Sequence, residues 1–232
     1  DEFRYIDLKR WPLILAATNL RIIPTAALGI AASYFWGRRP EAEGWMELAR
    51  SSAKSFSTMY GSDGCYDEGV SYWGYTTLFM ALFAEALWRK TGIDDRRLIN
   101  YPGSVRYALC MTMPTIDDHR AVKDFEHIKG WNMPMVKPEH DIVNWGDANG
   151  AVDVSVAAWV ERTHGDAVAH YVAREIGEAK FHFGLIWYDP GAKAARPEAA
   201  LLDHRMSNDL VVSRTGWGVQ DSVLALRSGG PA

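Results

Sequence analysis

Cysteine is scarce in this chain: Cys65 and Cys110 are the two among 232 residues. Two cysteines are too few for the network of disulfide bridges that stabilises small secreted domains. The fold must therefore depend on a hydrophobic core. The composition provides for one, because 48% of the residues are hydrophobic and a chain of this length can bury a sizeable interior.

Positive charge is also in short supply. The 25 lysines and arginines are outnumbered by 29 aspartates and glutamates, which gives a formal net charge of -4. Domains that bind nucleic acids are usually basic, so the sequence argues against a nucleic-acid partner. It does not exclude a polyanionic substrate, because a local cluster of arginines can attract one into a cleft.

An uninterrupted apolar run of membrane-spanning length is missing. The longest candidate, residues 11–36, contains Asn19 and Arg21 near its middle and is broken by Pro24. A charged side chain at the bilayer centre costs about 3 kcal/mol, so no membrane partner is expected. We interpret the run as a buried pair of helices or a kinked helix, with Pro24 at the first position of a helix that continues to Phe35.

Histidines at metal-binding spacing are missing too. The seven histidines are scattered along the chain, and no pair has convincing metal-ligand spacing. No metal site and no cofactor are predicted in this segment.

Helical periodicity dominates the chain up to about residue 190, with apolar residues at helical spacing over residues 41–60 and 72–91. Residues 209–214 and 222–227 instead have the length and β-branched content of strands. Helical hairpins separated by polar loops are typical of an (α/α) toroid or a bundle. The predicted fold class is mainly α. We expect an incomplete (α/α) toroid over residues 1–190, a linker over 191–204, and the first strands of an antiparallel β-sheet domain, the start of a β-sandwich, over 205–232.

One loop, residues 63–75, concentrates polar and aromatic side chains at the start of a long helix. It begins with Asp-Gly, a pair that favours turns, and leads into a helix that Gly92 is expected to end. A helix N-terminus carries partial positive charge and free N–H groups, which suit an anionic ligand. The candidate residues in this loop are Tyr66, Glu68, Tyr72, Trp73 and Tyr75. In the alternative interpretation Glu68 caps the helix and the aromatic residues belong to the core.

Tryptophan is plentiful, with ten in the chain. Sugar rings stack on the flat apolar faces of indoles, although a tryptophan-rich helical core is at least as common. A second turn-rich segment, residues 144–150, offers Trp145 and Asp147. Both are candidates for contact with a glycan, with core packing and a turn as the respective alternatives.

Four segments, in this order, resemble the heparinase II/III-like polysaccharide lyases. They are Asn-Leu-Arg at residues 19–21 followed by Ala-Ala-Leu-Gly at 26–29, the loop at 63–75, Asn-Trp-Gly-Asp at 144–147, and Arg-Thr-Gly-Trp-Gly at 214–218 running to Leu-Arg-Ser-Gly-Gly-Pro at 226–231. The most specific of them is the Glu-Gly-x-x-Tyr-Trp core of the loop. The resemblance spans nearly all of the chain.

This resemblance implies an incomplete (α/α) toroid followed by a large antiparallel β-sheet domain, and cleavage of a uronic-acid polysaccharide by β-elimination. It also implies an acidic polysaccharide or oligosaccharide as partner and a periplasmic or secreted location. Tyr72 matches the tyrosine that serves such lyases as acid, or as both base and acid, and Asn19 matches an earlier polar position. The histidine that often accompanies that position is not found near Asn19, and Arg21 is the nearest candidate. A metal, where one is bound, would belong to the β-sheet domain.

β-Elimination explains why these residue types would be needed. The proton removed from a uronate lies next to a carboxylate and is very weakly acidic, so donors aimed at the carboxylate stabilise the charge that develops. Asn19 and Arg21 are expected to donate, Arg21 bidentately. Tyr72 would exchange the proton if its pKa, about 10 when unperturbed, were lowered by a nearby cation. In the alternative, purely structural interpretations, Asn19 caps or breaks a helix and Arg21 is a surface or ion-paired residue.

Two other functions remain open. A toroidal glycoside hydrolase would use two carboxylates, which Asp67, Glu68 and Asp147 could supply. A non-catalytic glycan-binding protein would keep the cleft without turnover. For the lyase, the residues expected to bind the substrate are Tyr66, Glu68, Trp73, Tyr75, Trp145 and Asp147.

The chain is expected to be a fragment. The family's histidine-rich motif normally follows a Gly-Gly-Pro like that at residues 229–231, and two strands cannot form a stable β-sheet domain in water. The isolated piece is therefore expected to show little or no lyase activity. It is also expected to associate through its unpaired strand edge.

Overall fold

Helices of all types make up more than half of the residues that the computed structural model describes, which are 18–114, 140–143, 152–177, 182–218 and 220–228, and most of these helical residues lie in α-helices. In chain order they are α1 (Asn19–Phe35), α2 (Glu41–Phe56), α3 (Val70–Thr91), α4 (Tyr101–Cys110), α5 (Val154–His164), α6 (Ala167–Tyr171) and α7 (Phe183–Trp187). A π-helical turn, Val172–Ile176, extends α6, and short 3-10 turns occur at Ser57–Met59 and Ala199–Leu201.

The strands form two small antiparallel sheets. β1 (Thr112–Pro114) pairs with β2 (His140–Ile142), and β3 (Asp203–Arg205), β4 (Leu210–Arg214) and β5 (Val223–Arg227) form a second sheet in the order β3-β4-β5. The expectation of a mainly helical chain with an antiparallel sheet near residue 205 is confirmed. β4 and β5 coincide with the two predicted strands, whereas β3 was not predicted.

The long helix α3 is the centre of the helical part. It ends at Gly92, which has the left-handed φ of 77° and whose N–H bonds to the Trp88 carbonyl, as expected of a glycine cap. α1 packs against both α2 and α3, and α5 contacts α3 and α4. Residues on several sides of α3 are buried, among them Trp73, Leu78, Phe83 and Leu87. None of the helices within the described ranges has the length and apolar character needed to cross a membrane.

α1 begins earlier than the sequence indicates. The prediction that Pro24 occupies the first helical position is wrong, because α1 starts at Asn19 and Pro24 lies inside it. Proline inside a helix removes a backbone hydrogen bond and is usually costly. Two contacts stabilise the turn that precedes the proline. Ile22 is fully buried, and the Asn19 N–H donates a hydrogen bond to the Glu68 carboxylate.

The sheet is attached to the helices through Arg214 on β4. This side chain is 7% exposed, and its terminal nitrogens donate to the carbonyls of Leu109 at 3.2 Å and Thr112 at 3.3 Å. Those carbonyls lie at and just beyond the C-terminal end of α4, where a cation is favourable. Trp217 covers the guanidinium, whose carbon is 3.9 Å from the centre of the ring. Burial lowers the pKa of Arg214 from its usual value.

The two faces of the sheet differ. Leu210 and Val212 on β4 are buried in the same core as the helices, together with Met206. On the opposite face Leu224 and Leu226 of β5 are 58% and 57% exposed. The inner face therefore ties residues 203–227 to the helical part.

Gly29 is where α1 comes closest to α3. A Cβ atom added there would lie 2.1 Å from Cε2 of Phe83, a side chain that is itself 3% exposed. Gly29→Ala is therefore expected to lower the free energy of unfolding by about 1 to 3 kcal/mol, because the buried ring has to move. The measurement is the urea midpoint of unfolding at unchanged denaturant slope.

Gly44 on α2 provides the matched control. An added Cβ there meets nothing within 4 Å, so Gly44→Ala should raise the stability by about 0.5 to 1 kcal/mol through helix propensity alone. Equal midpoint shifts for the two variants would contradict the close crossing of α1 and α3.

Candidate active site

The loop between α2 and α3 is a compact turn built on short backbone contacts. Tyr60 and Tyr66 pair as an isolated antiparallel bridge, and the N–H of Gly61 donates to the carbonyl of Cys65 at 3.0 Å. Gly64 and Gly69 have φ angles of 87° and 92°, a region that residues with a Cβ rarely occupy. The glycines thus let the chain reverse and then enter α3.

The turn between β3 and β4 holds one end of this loop. Ser207 donates to the Asp63 carboxylate from its backbone N–H and from its hydroxyl, both at 2.8 Å, and the N–H of Cys65 donates to the same group at 3.2 Å. Burial alone would raise the pKa of Asp63, but the bonds from Ser207 and Cys65 outweigh it and hold the pKa below its usual value. Asp63 is therefore a charged anchor between the loop and the sheet.

Glu68 gathers two of the predicted site residues at the other end of the loop. The backbone N–H of Asn19 donates to Glu68 Oε2 at 2.9 Å, and Asn19 Nδ2 lies 3.4 Å from Glu68 Oε1. The Tyr66 hydroxyl also donates to Oε2. Asn19 is the first residue of α1, whose preceding residue Thr18 makes no side-chain cap. Glu68 therefore caps α1, where a negative charge is favourable.

Tyr66 is fitted to donate rather than to lose its proton. Its side chain is fully buried, and burial, followed by the neighbouring Tyr60 and the bond to Glu68, raises the pKa of Tyr66 well above its usual value. Burial likewise raises the pKa of Tyr60 to about 12, and the Tyr60 hydroxyl lies 2.9 Å from that of Thr77. Both tyrosines stay neutral phenols at physiological pH.

Tyr72 lies in the first turn of α3, four residues after Glu68. It is half-buried and packs against the hydrophobic core, and its carbonyl accepts a hydrogen bond from the Thr76 hydroxyl at 2.6 Å. Tyr75, one turn further, is also half-buried and meets Phe79 edge-on with ring centres 5.0 Å apart. Tyr72 thus combines contact with the core and contact with solvent.

Two aromatic residues expected to contact substrate are enclosed instead. Trp73 and Tyr66 are both 0% exposed, so a glycan does not reach either side chain in this conformation. For these two positions the core interpretation describes the structure better. Trp145 and Asp147 lie outside the residues that the structure describes.

Asn19 and Arg21 point to different neighbours. Arg21 Nε donates to the Ser52 hydroxyl on α2 at 3.1 Å, and that hydroxyl also lies 2.8 Å from the hydroxyl of Thr25. Residues two positions apart on an α-helix are rotated by about 200° from one another. The Asn-Leu-Arg segment therefore presents Asn19 to the loop and Arg21 to α2.

Arg227, on β5, is a cation beside the loop that sequence reasoning missed. Its Nη2 lies 3.8 Å from the Asp67 carboxylate, and its Nη1 donates to the Asp67 carbonyl at 3.5 Å. The partners are 160 positions apart in the sequence, so no local pattern could pair them. The sequence did point to Arg227 in one way, because the residue belongs to the Leu-Arg-Ser-Gly-Gly-Pro segment of the family resemblance. No function was assigned to Arg227 on that basis.

The described residues contain no group of three histidines, cysteines or acids arranged to hold a metal ion. Cys65 and Cys110 are both buried and are not bridged to each other. Burial raises the pKa of the Cys65 thiol to about 11, so it is not a reactive thiolate.

A cavity of about 200 Å³ lies on the sheet side of the loop. Its walls come from the loop, from α4 and from the segment around β3, and include Asp63, Arg106, Tyr107 and His204. Arg106 is already engaged, with Asp166 at 2.7 Å and Glu198 at 2.8 Å. The lining contains none of the predicted catalytic residues.

No protein-family model matches this chain, and no curated protein matches it.

Proposed function

We propose that this chain carries the helical part of a polysaccharide lyase that cleaves a uronic-acid-containing glycan by β-elimination. The observation that supports it most is the hydrogen-bonded contact of Asn19 with Glu68, which are 49 positions apart. Two of the segments that resemble the heparinase II/III-like lyases thus meet at the start of the helix that carries Tyr72.

The proposal extends to the architecture and location. α1 and α2 are joined by a short connection, residues 36–40, and such helical hairpins are the units of an (α/α) toroid. We propose that they belong to an incomplete toroid followed by a β-sheet domain that includes β3 to β5. An acidic polysaccharide as substrate favours a periplasmic or secreted location.

In the proposed reaction Asn19 donates to the carboxylate of the uronate and Tyr72 exchanges protons. The C–H bond next to the carboxylate breaks, its electron pair forms a C=C bond, the glycosidic C–O bond breaks, and the departing oxygen gains a proton. Donors aimed at the carboxylate stabilise the charge that accumulates on it. Arg21 lies in the same helix turn, but its Nε donates to Ser52 on α2, so we assign recognition of the carboxylate to Asn19 alone.

Protein groups engage both of the candidate hydrolytic carboxylates that the structure describes, Asp67 and Glu68. A glycosidase needs one carboxylic acid and one carboxylate free to reach the sugar. Both Glu68 oxygens accept hydrogen bonds from protein groups, and Asp67 faces Arg227. The loop therefore offers no free pair among the acids that the structure describes.

The test is turnover of four uronic-acid polymers, namely alginate, heparosan, hyaluronan and polygalacturonate, by the full-length protein. Elimination creates a conjugated double bond, so ultraviolet absorbance should rise with at least one of them. The carboxyl-reduced form of the same polymer should give no rise, because it lacks the group that Asn19 recognises. Equal affinity for the acidic and the reduced polymer would contradict the proposed recognition.

A further inference from the structure

We infer that Glu68 is a positioning residue, which orients the side-chain amide of Asn19 for recognition of the substrate carboxylate. The inference rests on the proposed function and deepens it. It assigns Glu68 a role toward a protein group instead of the direct substrate contact that the sequence indicates.

The hydrogen bonds around Glu68 all run in one direction. Oε2 accepts from the Asn19 backbone N–H at 2.9 Å and from the Tyr66 hydroxyl, and Oε1 faces Asn19 Nδ2 at 3.4 Å. Three donors around one group require an acceptor, and an ionised carboxylate is a pure acceptor. The buried phenol of Tyr66 remains protonated, as argued above, and so keeps its role as donor.

This arrangement fixes which end of the Asn19 amide faces Glu68. If the amide turned over, Oδ1 would meet Glu68 Oε1, and two acceptors would face one another without a proton between them. The Nδ2 end is therefore held toward the loop. One of its two N–H groups donates to Glu68. Because the amide is planar, this bond also fixes the direction of the second N–H group, which is the donor that we assign to the substrate. Asn19 is 8% exposed, so little of the residue is open to solvent.

Direct contact of Glu68 with the substrate is chemically less suitable. A uronate brings its own negative charge, and two carboxylates in contact repel each other. Glu68 instead accepts hydrogen bonds from three protein donors. It can therefore orient the Asn19 amide without touching the substrate. A purely structural cap on α1 would use the same backbone bond, so the test must separate the two roles.

The test uses Glu68→Gln, which keeps the shape of the side chain and replaces one oxygen by an NH₂ group. The remaining oxygen can still accept from the Asn19 N–H and Tyr66, but the NH₂ group then faces Asn19 Nδ2, and the amide is expected to turn over. The affinity for tetrasaccharides of the four polymers named above should fall roughly tenfold or more for the one that binds. The affinity for its carboxyl-reduced form should not change. Glu47→Gln on α2, an exposed position, is the control for loss of one charge.

A double-mutant cycle with Asn19→Ala completes the experiment. If Glu68 acts through Asn19, Glu68→Gln should have little further effect on binding in the Asn19→Ala background. Equal losses for the acidic and reduced tetrasaccharides, or a loss that persists undiminished in the Asn19→Ala background, would overturn the inference while leaving elimination by the unmodified protein intact. If the unmodified protein binds the acidic and reduced forms alike, the proposed function and the inference both fall.

Discussion

Replacing Tyr72 by phenylalanine is expected to remove most of the turnover while the protein stays folded. A group that exchanges protons in the transition state typically contributes roughly 10²- to 10⁴-fold, and phenylalanine retains the ring that packs against the core. The loss should appear in kcat, with KM changed much less, because the hydroxyl is needed for chemistry more than for binding. The measurement is steady-state turnover of the uronic-acid polymer in the full-length protein.

Tyr34→Phe is the control for the loss of a tyrosine hydroxyl. Tyr34 lies on α1 and is 64% exposed, so this variant should keep its turnover. A Tyr72→Phe protein with near wild-type kcat would show that the catalytic hydroxyl lies elsewhere.

Gly64→Ala is expected to have the largest effect on stability. Gly64 has a left-handed φ, and an added Cβ would lie 2.2 Å from the backbone nitrogen of Ser104 and 2.6 Å from the carbonyl oxygen of Asn100. These are backbone atoms at the start of α4, which cannot move aside as the end of a side chain could. The combined strain and overlap should lower the free energy of unfolding by about 3 to 5 kcal/mol. The measurement is the shift of the denaturant midpoint.

Gly92→Ala separates the two contributions. Gly92 has a similar φ of 77°, but nothing lies within 4 Å of the Cβ position. Its replacement should therefore cost about 1 to 2 kcal/mol, the left-handed strain alone. Similar losses at Gly64 and Gly92 would mean that the loop does not rest on α4.

Features encoded by neighbouring residues could be predicted from the sequence. The course of α3 and its end at Gly92 follow from helical periodicity and a glycine cap. The positions of β4 and β5 follow from short β-branched runs separated by a turn. β3 could not be predicted in this way, because Asp-His-Arg has no strand pattern. It is held by its ladder to β4 and by the hydrogen bond of Ser213 to Asp203 at 2.5 Å.

The contacts that form the candidate site join distant parts of the chain. Asn19 contacts Glu68, and Ser207 contacts Asp63, which lies 144 positions earlier in the sequence. Periodic patterns of hydrophobic residues do not predict contacts of this kind. The start of α1 at Asn19 is one consequence, since tertiary contacts there outweigh the local preference of Pro24. The composition of the loop predicted a candidate site there, but only packing decides which groups touch.

The aromatic residues of α3 illustrate the same limit. Trp73 and Tyr72 are adjacent in the sequence, yet Trp73 is fully enclosed and Tyr72 is half-buried. A helix buried on several sides shows no clean polar face, so sequence alone could not assign the exposed member of the pair.

The central claim, elimination rather than hydrolysis, is tested most directly by the mass of the products formed in water labelled with heavy oxygen. Elimination transfers protons and breaks the glycosidic bond without adding water. We therefore expect one new chain end with a C=C bond, lighter by one water than the hydrolysis product, and no heavy oxygen in either product. Saturated products that carry one labelled oxygen at the new end would contradict the account.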